Sequence, residues 1–332
     1  MSELNKLMAN NLIERENSRS SYILLFGGKE TPQYTKSPAM WNAALNLIGM
    51  EGAKYEVAPF EDDQGVARAI DLLKGSPIYL GGNVTQPFKE TAFKRIFEVG
   101  ELDDFAKKAE SINTIVSRIG LIKGYNTDGP AEIKNLRSIV DKFSGLRVLV
   151  LGAGGAAKGI IPALLAEGAS RVVIANRTKE SAEYIARRMK GFYPDSEIAA
   201  IDDSELAAYA TSGEFDLILN TTSVGQKKKE TEGYSPLAST SLSLEENNGQ
   251  SRKLFEQIAR ANPNTKISDL IYEPAQSPFL AQAEKSGLKT LNGKMMLVYQ
   301  AADAFELVVG HEVGYDKLVE TMERAYDQAT AA

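Results

Sequence analysis

Lys89 follows Gln86-Pro87-Phe88 and falls in the first turn of a predicted helix, where the helix dipole disfavours a cation. A residue that breaks a local rule in this way marks a candidate functional site. The positive helix end and partial burial would both favour its neutral amine, the form that serves as a general base. A surface lysine offset by Glu90 is the equally open alternative. Asp128 precedes Gly129-Pro130 at a second helix start. It either caps that helix or supplies a carboxylate that holds the lysine and a substrate hydroxyl in place. Thr35 and Ser37 stand two apart before Pro38. Alternate residues of an extended segment share one side, so both hydroxyls could face a polyol. Ser37 is also a good N-cap, with proline in the first helical position. Gln300 lies in the stripe Leu297, Gln300, Ala301, Ala304, Phe305 and Val308. Its amide therefore faces a core or a cleft and needs partners, either the backbone or a ligand.

A second constellation is a glycine loop, Gly152-Ala153-Gly154-Gly155-Ala156-Ala157, between a predicted strand and a predicted helix. That context separates a dinucleotide loop from a mere packing turn. Gly152 allows the tight turn, Gly154 a close approach of backbone to pyrophosphate, and Ala157 tight helix–strand packing. The helix N-terminus adds free N–H groups and a positive dipole end. The next strand ends in Asn176-Arg177-Thr178-Lys179. An NAD site places Asp or Glu there for the ribose 2′-hydroxyl. This chain has two cations and no acid at 176–179, which suits a 2′-phosphate through charge-assisted bonds. NADP is expected over NAD, with an exposed basic turn as the alternative.

Other chemistries are excluded by composition. The chain has no cysteine, so disulfides, thiolate metal sites and cysteine nucleophiles are out. Its one histidine, His311, rules out histidine clusters and triads, and no metal site is expected. Acid–base work must fall to Lys, Asp, Glu or Tyr. The net charge of −6 argues against nucleic acid. The best apolar run, near 148–166, is broken by Lys158, and the N-terminus lacks a signal-peptide core, so a cytoplasmic protein is expected.

The elements that must position these residues alternate. Strands are predicted at Tyr22–Phe26, Lys54–Val57 and Ile78–Leu80, with helices from Ser37 to near Gly49, at Asp63–Leu73 and from about Pro87. Strands Thr114–Ser117 and Leu121–Gly124 meet at Ile119-Gly120. A new unit begins with strand Arg147–Leu151, helix Lys158–Glu167 and strand Arg171–Ala175. The pattern predicts an α/β fold with a mainly parallel sheet, and 332 residues predict two domains, parting near Gly129. The polar stretch Gln226–Asn264 reads as loop with a short helix at Arg252–Ala261, and Lys227–Lys229 as a solvated face. Residues 1–20 read as a polar lead-in with a short helix.

Together these residues resemble the shikimate dehydrogenase family, including its quinate-using relatives, from about Tyr22 to Gly310. The family's Ser-x-Ser-Pro stands here as Thr35-Lys36-Ser37-Pro38, and its Asn-Val-Thr-x-Pro-x-Lys as Asn83 to Lys89. Asn113-Thr114, Asn126 to Gly129, the loop at 152–156, Asn176 to Thr178, Asn220 to Gly225, Asp269 to Tyr272 and Gln300 to Ala302 follow in order. The resemblance implies reversible, NADP-dependent oxidation of shikimate to its 3-dehydro ketone, in aromatic amino-acid biosynthesis. It implies Lys89 as the catalytic lysine and Asp128 as its partner. Thr35, Ser37, Thr85, Asn113, Tyr272 and Gln300 match ligand-contacting positions. The loop 152–156, Asn176 to Lys179, Thr222 and Gly293 are the implied cofactor positions. It further implies a substrate domain of 1–129 plus 295–332, an inserted Rossmann-like domain at 130–294, and a reaction in the cleft. The expected partners are a small hydroaromatic acid and the dinucleotide, in a monomer or homodimer.

Three features depart from the family pattern: Thr35 in place of the first serine, a long 226–264 segment, and the N-terminal lead-in. They leave open a quinate/shikimate enzyme using NAD, or a paralogue for another hydroaromatic substrate. A catalytically idle ligand sensor is a third reading, opposed by intact Lys89 and Asp128.

Overall fold

The computed structural model describes residues 21–227, 229–310 and 313–331. The expected lead-in helix within residues 1–20, and Lys228 of the lysine run, lie outside the described residues. The chain divides into two compact units, residues 1–131 with 298–332, and residues 132–297.

The first unit is built on β1 (Ser21–Gly28), whose residues 22–27 are all buried. Such a continuous apolar run is the mark of a central parallel strand covered on both faces. β1 is followed by α1 (Ser37–Leu47), β2 (Ala53–Phe60), α2 (Asp63–Gly75) and β3 (Tyr79–Val84). Next come α3 (Lys89–Val99), β4 (Glu101–Leu102), α4 (Asp104–Ala109), β5 (Thr114–Arg118) and β6 (Leu121–Tyr125). The strand order is β2-β1-β3-β5-β6-β4. The pairings of β1 with β2 and β3, and of β4 with β6, are parallel, while β3–β5 and β5–β6 are antiparallel.

Two local outcomes differ from the sequence reading, and both shape the site. β3 does not stop at Leu80 but runs through Gly81 and Gly82 to Val84. Both glycines have positive φ, +124° and +152°. A Cβ on Gly81 would overlap the Ile115 carbonyl oxygen, and one on Gly82 that of Leu24. The pair is thus what lets β3 lie between β1 and β5, in the register that delivers Asn83. Ser37 is the first residue of α1 rather than its cap; Lys36 holds the cap position without a side-chain bond. The Ser37 N–H donates instead to Thr35 Oγ1 at 3.3 Å. Of the apolar face Met40, Trp41, Ala44, Leu45 and Ile48 that the spacing predicts, the first four are buried, while Ile48 is the half-buried C-cap. Trp41 stacks on Tyr55, with ring centroids 4.7 Å apart.

The second unit follows α5 (Asp128–Leu136), inside which the division between the units falls. Its elements are β7 (Arg147–Leu151), α6 (Gly155–Ala166), β8 (Arg171–Ala175), α7 (Lys179–Phe192), β9 (Glu197–Ile201), α8 (Asp203–Ala210) and β10 (Leu217–Asn220). α9 (Leu244–Ala261), β11 (Lys266–Asp269), α10 (Pro278–Lys285) and β12 (Lys289–Leu291) complete it. The sheet order is β12-β11-β10-β7-β8-β9, parallel throughout. The strand order reverses between β7 and β10, the place where doubly wound sheets bind ligands beyond the strands' carboxyl ends. α6 begins at Gly155, three residues before the expected Lys158, so the loop's last glycine is already helical. α9 is much longer than the expected short helix, because Ser243 and Glu246 form a reciprocal capping box two turns upstream. α11 (Lys294–Val308) and α12 (Tyr315–Ala331) end the chain. Among the described residues no helix is long and apolar enough to cross a membrane.

Candidate functional site

The turn after β3 places Lys89. Thr85 N–H donates to Phe26 O at 2.8 Å and Phe88 N–H to Thr85 O at 3.1 Å, so α3 opens at Lys89. Lys89 Nζ lies 2.6 Å from Asp128 Oδ2, and the two side chains are only 14% and 5% exposed. Asp128 heads α5, its N–H donated to Asn126 Oδ1 at 3.1 Å. Asn113 joins them. Its Nδ2 donates to Asp128 Oδ1 and Thr127 Oγ1, both at 2.8 Å, and lies 3.2 Å from Gln300 Oε1. An amide nitrogen has two hydrogens, so the longer Gln300 contact is a shared one. Asn113 Oδ1 accepts from the Thr127 N–H at 2.9 Å and from Thr114 Oγ1 at 3.0 Å. The structure thus brings Lys89, Asp128, Asn113 and Gln300 into one hydrogen-bonded cluster.

The cluster extends to the Thr35-Ser37 motif through two residues to which the sequence reading assigns no role. Asn83 donates to Asn113 O and Thr114 Oγ1, each at 3.2 Å. Its Oδ1 accepts from the buried Tyr55 hydroxyl at 2.9 Å. Burial pushes the Tyr55 phenol well above its ordinary range, and the Ser37 hydroxyl bonded to it pulls the other way. Asn83 carried a signal in the Asn-Val-Thr run; Tyr55 read only as a core aromatic. Thr85 is half-buried beside this turn. Tyr272 is half-buried in the loop after β11, in the second unit.

The glycine loop has the expected backbone. Gly152 has φ +105°, and a Cβ there would meet Thr221 Oγ1 at 2.7 Å and Thr222 Cγ2 at 2.9 Å. Gly154 is the N-cap of α6, and a Cβ there would meet nothing within 4 Å. The loop at Ala153-Gly154 and the free N–H groups of the first α6 turn, Gly155 and Ala156, therefore form an open anion cradle. Beside it lies a cavity of about 420 Å³, lined among others by Gly152, Asn176, Arg177, Thr178 and Thr222. The Asn176 amide accepts from Ala153 N–H at 3.2 Å and donates to Thr178 O at 2.9 Å, tying the two loops together. Thr222 is held by Asn220 Oδ1, and Asn220 donates to Asp269 at 2.8 Å. Burial lifts Asp269 to about 6, against bonds from Ser277, Ile271 N–H and Asn220. Burial also lifts Glu132 to about 8, and the charge of Asp269 adds to it.

Two expected cofactor residues are placed differently. Lys179 opens α7, and its ammonium pairs with Glu205 at 2.8 Å and Asp202 at 3.8 Å. It is spent on the α8 capping box, whose acids hold it by charge. Gly293 is buried against Leu270, where a Cβ would overlap the Leu270 carbonyl, and it does not line the cavity. Arg177, by contrast, is exposed and has no ion-pair partner among the described residues. Among the described residues, outside which His311 lies, there is no group of three or more acids able to hold a metal.

Comparison with known proteins agrees with this layout. A family model described as shikimate dehydrogenase substrate binding domain matches residues 30–115, and one described as shikimate / quinate 5-dehydrogenase matches residues 134–237. A shikimate dehydrogenase (NADP(+)) from Caldanaerobacter subterraneus is 34% identical over 281 residues, 84% of this chain and 88% of that protein. The Thermus thermophilus shikimate 5-dehydrogenase, solved with NADP(H) and shikimate, has a TM-score of 0.71 at 27% identity, covering 92% of this chain and 99% of that one. The Listeria monocytogenes enzyme, solved with shikimate and NAD, has a TM-score of 0.76 at 25% identity, over 94% and 99%. The chain belongs to the shikimate dehydrogenase family.

Proposed function

We propose that this protein is an NADP-dependent shikimate dehydrogenase, interconverting shikimate and 3-dehydroshikimate in aromatic amino-acid biosynthesis. The observation that carries the reading is the buried Lys89–Asp128 contact of 2.6 Å, clamped by Asn113. When bound, NADP supplies the acceptor for the hydride that leaves the carbinol carbon with both electrons. The chain's own work is to hold and move the hydroxyl proton. Lys89 Nζ either takes it as a neutral amine while the ketone forms, or as an ammonium steadies the developing alkoxide, and Asp128 orients the lysine and the hydroxyl. Thr35, Ser37, Thr85, Asn113, Tyr272 and Gln300 are the substrate contacts of this reading. Gly152 to Ala156, Asn176 to Thr178 and Thr222 serve the dinucleotide, with Arg177 on its 2′-phosphate. The cradle at Gly154 and the cavity beside it fit that group.

The reading carries with it a small hydroaromatic acid as partner, a cytoplasmic setting, and a monomer or homodimer. Thr35 favours one second reading, because its added methyl reshapes the carboxylate end: quinate or an analogue as preferred substrate. The deciding experiment follows nicotinamide reduction with shikimate or quinate against NADP or NAD. Shikimate with NADP should be the fastest pair. No turnover with any pair would overturn the enzyme assignment.

A further inference from the structure

The cavity beside the glycine loop has a wall that no motif marks. Ala238, Ser239, Thr240 and Gln250 line it, all beyond residue 237, where the family match ends. This stretch reads from sequence as a featureless polar loop, yet one buried side chain holds it. Asn247, fully buried on α9, donates to the carbonyls of Ser235, Ala238 and Ser239 at 3.1, 3.1 and 3.2 Å. Its Oδ1 accepts from Ser235 N–H at 2.8 Å. Ser235 and Ser251, both fully buried, add a 2.6 Å hydroxyl pair. α9 is itself fixed by Leu254, Phe255 and Ile258 in the core of the unit.

We infer that this wall recognises the adenosine 2′-phosphate half of the dinucleotide, and that Asn247 is the positioning residue that sets it. The inference rests on the cavity being the dinucleotide site. The half follows from the other linings: Asn176, Arg177 and Thr178 after β8, and Asp203 and Leu206 after β9. The turn after β8 is the ribose-reading turn of a doubly wound sheet. On the wall, the Thr240 hydroxyl and the Gln250 amide offer hydrogen bonds to ribose and phosphate, while the Ser239 hydroxyl is paired with Ser241 Oγ at 2.8 Å. Leu237 and Ala238, both largely buried, form the apolar back of the cavity.

Calorimetric titration with NADP+, and separately with adenosine 2′,5′-bisphosphate, tests this. Asn247→Leu keeps the side chain's size and removes four contacts, one of them shared; Thr240→Ala with Gln250→Ala alters one half-buried and one exposed position. In each case Kd for both probes should rise about tenfold, the loss of roughly one or two hydrogen bonds, with KM for shikimate unchanged. A double variant that binds within twofold of wild type overturns the wall. A lower melting temperature with unaltered Kd in Asn247→Leu makes that residue structural only. If Asn247→Leu does not fold, Ser251→Ala, a smaller lesion in the same cluster, decides that point by the same criterion. Wild-type protein that binds neither probe overturns the functional reading itself, and the wall with it.

Discussion

Asn113 Nδ2 donates to one oxygen of Asp128 at 2.8 Å while Lys89 takes the other at 2.6 Å. Both carboxylate oxygens therefore have a fixed donor, and the carboxylate cannot rotate away. Three residues from separate places in the chain thus fix one orientation of the Asp128 carboxylate, the one the proposed proton transfer uses.

Lys89→Ala should lower kcat by about a thousandfold, the scale of a positioned acid–base group. NADP+ should still bind with wild-type Kd, because the lysine belongs to the first unit and the glycine loop to the second. Stopped-flow turnover and titration check the two halves. Turnover close to wild type would remove Lys89 from the chemistry.

Tyr55→Phe removes one hydroxyl from the chain Ser37–Tyr55–Asn83–Asn113 and leaves Asn83 Oδ1 buried without its donor. The stability cost should be about 1–3 kcal/mol, read as a shift of the urea midpoint. KM for shikimate should rise with kcat nearly unchanged. In a Ser37→Ala background that rise should shrink, since coupled residues are non-additive. Fully additive effects would make Tyr55 a packing residue alone.

What was legible in the sequence follows from range. β7 and β8 coincide with the expected strands, because each is a buried β-branched and leucine run flanked by breakers. Lys89 stood out because it offends its own helix dipole. The Tyr55–Asn83 bond joins residues 28 apart on two strands, and nothing local in Tyr55 announces it. Lys179 looked available because its acid, Glu205, is 26 residues on. The paired glycines of β3 read as a loop, although here they answer a close approach between strands. α9 extends upstream of the expected Arg252 through Asn247-Asn248-Gly249, weak helix formers that tertiary bonds and a capping box override.

Arg177→Asp should weaken NADP+ binding by about ten- to a hundredfold, since a charge-assisted bond is worth roughly 1.5–3 kcal/mol. NAD+ binding should change little or improve, because an acid there can accept from a ribose 2′-hydroxyl. With Lys179 committed to Glu205, no neighbouring cation in the turn compensates. Unchanged NADP+ affinity would sink the assignment of Arg177 to the 2′-phosphate.

Glu132 gives the second unit a pH dependence of definite sign. Burial raises its folded value from 4.5 to about 8, so between those values the native state holds a proton that the unfolded chain has released. Its stabilising share is complete below the unfolded value and declines as pH rises toward the folded one, by up to about 1.4 kcal/mol per pH unit. Asp269, raised from 3.8 to about 6, adds the same sign over a lower window. Glu132→Gln is neutral at every pH and still offers an oxygen to Ser268, whose hydroxyl lies 3.2 Å from Glu132 Oε1. Chemical denaturation at pH 5, 6.5 and 8 should show wild type losing stability faster than the variant, with the variant gaining most at pH 8. Parallel curves for the two proteins would mean that Glu132 is ionised in the native state.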